Sequence, residues 1–235
     1  VANGAIEAAL ELGDFSGKLG QTLMLPGAGG ADRLLLVGCG PAKQLDRAAS
    51  RKLIASVCDA LSGTLAQNAL FHTADLQLKD AGMDWLLAQL ARTVITSAYR
   101  YSTLLSAPSP QPELSELMVN PGGTISPLAA EDALNRGRHV GAGINEAREL
   151  ANLPGNICTP IYLADRARQL ADANDKLSTN VLGEKRMAKL GMGALLSVAA
   201  GSEQPARLIV MRYQGGKKKQ KPYVLVGKGV TFDSG

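Results

Sequence analysis

Two histidines, His72 and His139, are all that the 235-residue chain contains, so a zinc site built from several imidazoles is excluded within it. Any metal here has to be held by carboxylates and by some less usual donor. Cysteine is as sparse: Cys39, Cys58 and Cys158 are odd in number, far apart, and form no Cys-x-x-Cys pair. They read as reduced, mostly buried thiols of a cytosolic protein. No run of about 18 apolar residues marks a membrane-spanning helix, and no basic-then-apolar start marks a signal peptide. The expectation is a cytoplasmic protein with no membrane partner. Neither charge sign is in large excess: 25 Lys+Arg against 21 Asp+Glu leave +4, too little to identify a nucleic-acid-binding protein. Internal repeats and low-complexity tracts are absent. The chain opens on Val1 rather than Met and stops inside a glycine-rich loop, so both ends are expected to be cut.

What is present is an ordinary globular sequence, 46% hydrophobic, long enough to bury most of its apolar surface. "RLLLVGCG" (Arg33–Gly40) is a short continuous apolar run closed by glycines and predicts a buried strand. Leu45, Ala49, Leu53, Val57 and Leu61 then recur at helical spacing up to Ser62-Gly63. "TLAQNALFHTA" predicts a second strand, and Leu87, Leu90, Val94 and Ala98 place a second helix within Asp84–Leu105. Such alternation predicts an α/β layer. "SAPSPQPELSE" (Ser106–Glu116) reads as a stiff surface loop, and "ELMVN" as one more strand. A long helix is expected from about Ala130 to Leu153, ended by Pro154-Gly155, with the length of a connector between domains. Thr159 is a natural N-cap with Pro160 at the first helical position. "NVLGEKRMAKLGMGALLSVAAGS" reads as strand, short helix and glycine-rich turn; "ARLIVMRY" and "PYVLVGKG" read as two buried strands.

Three stretches invite a chemical reading. "GGKKKQK" (Gly215–Lys221) has the charge for a phosphate or nucleic-acid contact, but glycines beside lysines between two strands, without aromatics, describe a solvated loop tip. "LLLVGCGPAK" places Gly38 and Gly40 between a strand and a helix, yet Lys43 stands where a dinucleotide fingerprint has its third glycine. "VGKGVTFDSG" (Val226–Gly235) is not a Walker loop, since Gly229 follows Lys228 where that pattern needs a Ser or Thr. Lys228 nevertheless follows a predicted strand, where α/β sheets place ligands, and Asp233 comes five residues later. The spacing alone permits either a loop-pinning Lys–Asp ion pair or a shared ligand site.

Taken as a whole, "VGKGVTFDSG" closely resembles the signature of the leucine aminopeptidase family, the two-metal cytosolic exopeptidases of the M17 class. "INEARELANLPGNICTP" (Ile144–Pro160) is similar to that family's helix and Asn-Pro-x-Asn-x-x-Thr-Pro turn, with Gly155 where a second Pro is common. "LGMGALLSVAAGSEQPARLIVMRYQG" (Leu190–Gly215) resembles its Gly-Met-Gly segment and core strand; "GDFSGKLGQTLMLP" and "RLLLVGCG" agree more weakly. The resemblance implies an N-terminal three-layer, macro-like α/β/α domain over residues 1–127. It implies a connecting helix over 128–153, then the first part of a zinc-peptidase-like α/β domain over 154–235, incomplete at Gly235.

It further implies metal-dependent removal of N-terminal residues from peptides, leucine favoured, with two divalent ions (Mn or Zn), in a cytosolic homohexamer. Lys228 matches the family's lysine ligand and Asp233 the aspartate that contacts both metals. An amine ligates only when neutral, and a free lysine holds its proton to about pH 10.4, so metal binding and deprotonation are coupled. The family's second lysine and its Asn-Thr-Asp-Ala-Glu-Gly-Arg motif lie beyond the matching turn and are not among these residues. The chain is therefore expected to hold no catalytic residue and to be inactive alone. A different class of function, a non-catalytic fragment or a DNA-binding relative, rests only on the +4 charge and "KKKQK".

Overall fold

The computed structural model describes residues 2–27, 30–41, 45–107, 114–217 and 220–231. The chain forms two compact units, Val1–Arg148 and Glu149–Gly235. None of the described helices is long and apolar enough to cross a membrane.

Unit 1 runs α1 (Ala2–Glu11), β1 (Thr22–Pro26), β2 (Arg33–Val37), α2 (Arg47–Ser62), β3 (Asn68–His72), α3 (Met83–Ala98), β4 (Glu116–Asn120) and most of α4 (Pro127–Asn152). β1 and β2 pair antiparallel, Thr22 opposite Val37; β3 and β4 pair parallel, Asn68 opposite Glu116. Parallel strands need a crossover, and α3 supplies it. The predicted alternation of strand and helix is therefore an α/β arrangement in fact.

The elements form where the sequence makes them cheap. Asp46 caps α2 by accepting from Ala49 N at 2.8 Å. One face of α2 (Leu53, Ile54, Val57, Cys58) and one of α3 (Met83, Leu86, Leu87, Leu90) are buried. Ile54, Cys58, Leu86, Leu87 and Leu90 share a core with Ala133 of α4, against which Phe71, Leu117 and Val119 of the parallel pair pack. β3 and β4 thus alternate, with Phe71, Leu117 and Val119 turned to the helices and Leu70 and Met118 exposed. Burial pushes the Cys58 thiol up to about 11; the Ser97 hydrogen bond opposes this and Asp59 adds to it. Burial raises Cys39 and Cys158 as well, so none of the three thiols is activated toward a nucleophilic thiolate.

α3 ends at Ala98, seven residues short of the expected Leu105, and the reason is tertiary. Its last turn leaves carbonyls without helical partners. Asn145 Nδ2 of α4 donates to Ile95 O at 2.9 Å, Arg148 Nη1 to Thr96 O at 2.8 Å, and Arg100 Nη1 to Ser97 O at 2.7 Å. Arg148 and Arg100 also place positive charge at the negative end of the helix dipole. α4 lies close against α3 because Gly137 and Gly141 face it. A Cβ on Gly137 would run into Ala88 O, and one on Gly141 would come within 2.8 Å of Ile95 Cβ.

Unit 2 contains α5 (Pro160–Asp172), β5 (Leu177–Gly183), α6 (Glu184–Lys189), α7 (Gly193–Ala199) and β6 (Arg207–Tyr213). β5 and β6 are antiparallel over their full lengths, Leu177 opposite Tyr213. Leu182, Met187 and Ala206 form a small core, packed by Leu195, Leu196, Leu208 and Val210. The Glu184 carboxylate, in the first turn of α6, accepts from Ala206 N at 2.8 Å and ties that helix to the start of β6.

One expected strand is absent. Tyr223, Val224, Leu225 and Val226 are irregular and 93%, 76%, 98% and 93% exposed. A strand needs a neighbour to take its backbone N–H and C=O groups. β5 and β6 pair only with each other, and no other described strand lies beside this run. Apolar composition alone does not make a ladder.

Candidate functional site

Of the three stretches that suggested chemistry, "LLLVGCGPAK" lies in unit 1, and "GGKKKQK" and "VGKGVTFDSG" fall in unit 2. The turn after α4 is built on Pro154, whose carbonyl accepts from Ile157 N and Cys158 N, both at 2.9 Å. Leu153 and Cys158 are buried on either side of this turn. Thr159 Oγ1 then accepts from Tyr162 N at 3.2 Å, and Pro160 occupies the first turn of α5 as its fixed φ allows. The cap and the turn together set where α5 starts. Replacing Thr159 by Ala should lower the urea midpoint of unit 2 by an amount worth about 1 kcal/mol. Thr159→Ser keeps the acceptor oxygen and should match the wild type; an Ala variant as stable as wild type would show that the cap contributes nothing.

The Gly-Met-Gly stretch is the link between α6 and α7. Gly191 adopts φ +72°, a left-handed conformation that a side chain would strain, and its N–H closes on Ala188 O at 3.0 Å. Met192 packs back on the unit's core.

Lys228 lies on the irregular exposed segment that follows Tyr223–Val226. Gly227 and Gly229 flank it; the space beside Gly227 is open, and a Cβ on Gly229 would meet Leu163 Cδ1 at 3.9 Å. Asp233, the other predicted ligand, lies outside the described residues, as do Lys43 and two lysines of the basic loop, Lys218 and Lys219. Lys217 and Lys221 of that loop are exposed, as a solvated tip would be. Among the described residues, no three His, Cys, Asp or Glu side chains come together as a metal would need. An exposed lysine without a carboxylate cluster is not a closed metal site, so the described residues do not by themselves fit the ions. They add no candidate ligand that the sequence had failed to suggest.

What decides the relationship is the order of segments along the chain. Residues 1–108 match the N-terminal domain model of the cytosol aminopeptidase family, and residues 145–235 match its catalytic domain model. The chain belongs to the cytosol aminopeptidase family. A probable cytosol aminopeptidase of Alkalilimnicola ehrlichii is 44% identical over the whole of this chain, and one of Azotobacter vinelandii 41%. The chain spans about half the length of these curated relatives, 48% and 47% respectively. Among solved structures, a mutant of tomato leucine aminopeptidase superposes with a TM-score of 0.80 at 30% identity, covering 99% of this chain and 46% of that one. The bottromycin maturation enzyme BotP, in complex with Mn, gives 0.70 at 26% identity over 86% of this chain and 41% of that one.

Proposed function

We propose that the full-length protein to which these residues belong is a metal-dependent aminopeptidase that releases N-terminal residues from peptides, leucine among the best. The supporting observation is that both domain models of one family match in order, the second of them running through "VGKGVTFDSG". Two divalent ions, Mn or Zn, would supply a water of lowered pKa and polarise the scissile carbonyl. The part of this chain is to contribute two donors, the Lys228 amine and the Asp233 carboxylate; the catalytic groups proper lie elsewhere in the polypeptide, so residues 1–235 alone are inactive. One solved relative, the bottromycin maturation enzyme BotP, is described in complex with Mn. We also propose that 128–153 acts as the connector between an N-terminal domain and the peptidase domain, and that the protein assembles as a cytoplasmic homohexamer.

The reading predicts that the full-length protein releases p-nitroaniline from leucine p-nitroanilide with Mn present. A chelator should abolish the release, and added Mn should restore it. Absence of any release with Mn or Zn would overturn the assignment. Release by residues 1–235 alone would overturn the division of the site.

A further inference from the structure

The single tryptophan of the chain, Trp85 in the first turn of α3, carries two cations on its ring. The Arg47 guanidinium lies 5.4 Å from the ring centroid and the Arg51 guanidinium 5.6 Å. The two arginines stand four residues apart on α2, hence on one face of that helix, and both are exposed. Because both reach the same ring, their charges are separated by no more than the sum of those distances.

Helix stability does not account for the pair. Arg47 is the first residue of α2, where the helix dipole favours a negative charge and disfavours a cation. One guanidinium already satisfies an indole face, and a second beside it adds repulsion. No neighbour neutralises the two charges either. Among the described residues, neither guanidinium has an ion-pair or hydrogen-bond partner. The carboxylates at hand are committed elsewhere. Asp46 Oδ1 accepts from Ala49 N at 2.8 Å, Asp80 Oδ1 accepts from Arg47 N at 3.0 Å, and Asp84 Oδ2 pairs with Arg136 at 3.3 Å. Arg100, Arg148 and Arg207, by contrast, all donate guanidinium N–H groups to backbone carbonyls. The N–H groups of Arg47 and Ala49 at the start of α2 are thus already taken, and the free donors there are those of the two guanidiniums.

We propose that Arg47 and Arg51 bind a phosphate dianion beside Trp85, either inorganic phosphate or the phosphate of a small phosphomonoester. The match is one of charge and of oxygen count. A phosphomonoester carries about 1.5 to 2 negative charges at neutral pH and offers three acceptor oxygens. A guanidinium takes oxygens in pairs, so two guanidiniums engage all three, with one oxygen shared. A carboxylate brings one charge and two oxygens, which a single arginine satisfies. A phosphodiester, as in a nucleic-acid backbone, likewise brings one charge for each phosphorus. The inference rests on α2 and α3 alone and is independent of the peptidase reading.

Trp85 itself is the reporter. Its emission in the full-length protein is the difference between that protein and its Trp85→Phe variant, so any other tryptophan drops out. At fixed ionic strength, inorganic phosphate and glycerol phosphate should each change this emission along a saturating curve. Dimethyl phosphate and acetate should bind at least about 10-fold more weakly. Arg47→Ala and Arg51→Ala, both exposed and so expected to fold, should each weaken phosphate at least about 10-fold. The double variant should lose the saturable change altogether. Tighter binding of glycerol phosphate than of phosphate would assign the site to a phosphomonoester, and the reverse order to the free ion. A change that fails to saturate, that acetate or dimethyl phosphate reproduces at equal concentration, or that survives in the double variant would overturn the proposal.

Discussion

Gly137→Ala should destabilise unit 1 by about 2–3 kcal/mol, although alanine is the better helix former by about 1 kcal/mol. The new methyl would point from α4 into Ala88 O and to within 2.8 Å of Ala91 Cβ, both on α3. A backbone carbonyl cannot rotate away as a long side chain can, so relief requires the two helices to separate. Separation would stretch the bond from Asn145 to Ile95 O and that from Arg148 to Thr96 O. It would also loosen Ala133 from the shared core. Gly143→Ala, in the same helix, is the internal control, because nothing lies within 4 Å of its Cβ position. That variant should gain about 0.5–1 kcal/mol from helix propensity alone. Denaturant unfolding of the two variants should thus move in opposite directions. Equal shifts of the same sign would mean that the α3–α4 contact is not tight at Gly137.

In the full-length protein, Lys228→Ala should lower kcat/KM for leucine p-nitroanilide by well over about 100-fold. Loss of a group that merely supports a metal ligand already costs about 10–100-fold, and loss of a ligand itself should cost more. Lys228→Arg is the more informative variant. It preserves a positive charge and could keep an ion pair with Asp233, but a guanidinium stays protonated and has no lone pair to offer a metal. If Lys228 is a ligand, both variants should be inactive, and direct metal analysis should find less metal bound per chain. If Lys228→Arg retains activity and its full metal content, the ion-pair reading of "KGVTFD" is the right one, and the ligand role fails.

The local grammar of the chain was legible wherever a residue acts on its immediate neighbours. Thr159 before Pro160 places the start of α5, and the side chain caps it. "ELMVN" becomes β4, Glu116–Asn120, and "ARLIVMRY" contains β6, Arg207–Tyr213. The long periodic stretch before Pro154 becomes α4. These depend on spacing and on short-range capping, which a sequence displays. The end of α3 does not, because the groups that satisfy its last carbonyls include Asn145 and Arg148, about 50 positions away. Tyr223–Val226 failed for the complementary reason: its composition suits a buried strand, but pairing is supplied by a neighbour, and none of the described strands lies there.

For function the division is similar. The sequence by itself determined the family and the two residues proposed as metal donors, because "VGKGVTFDSG" and the turn Asn152–Pro160 are contiguous patterns of residue type. It could not show that α4 is held to α3 through two glycines, nor that Asn145 and Arg148 of α4 satisfy the last carbonyls of α3. Those were decided by tertiary structure alone. Close approach and capping across about 50 positions are relations between segments distant along the chain, and no local spacing encodes them.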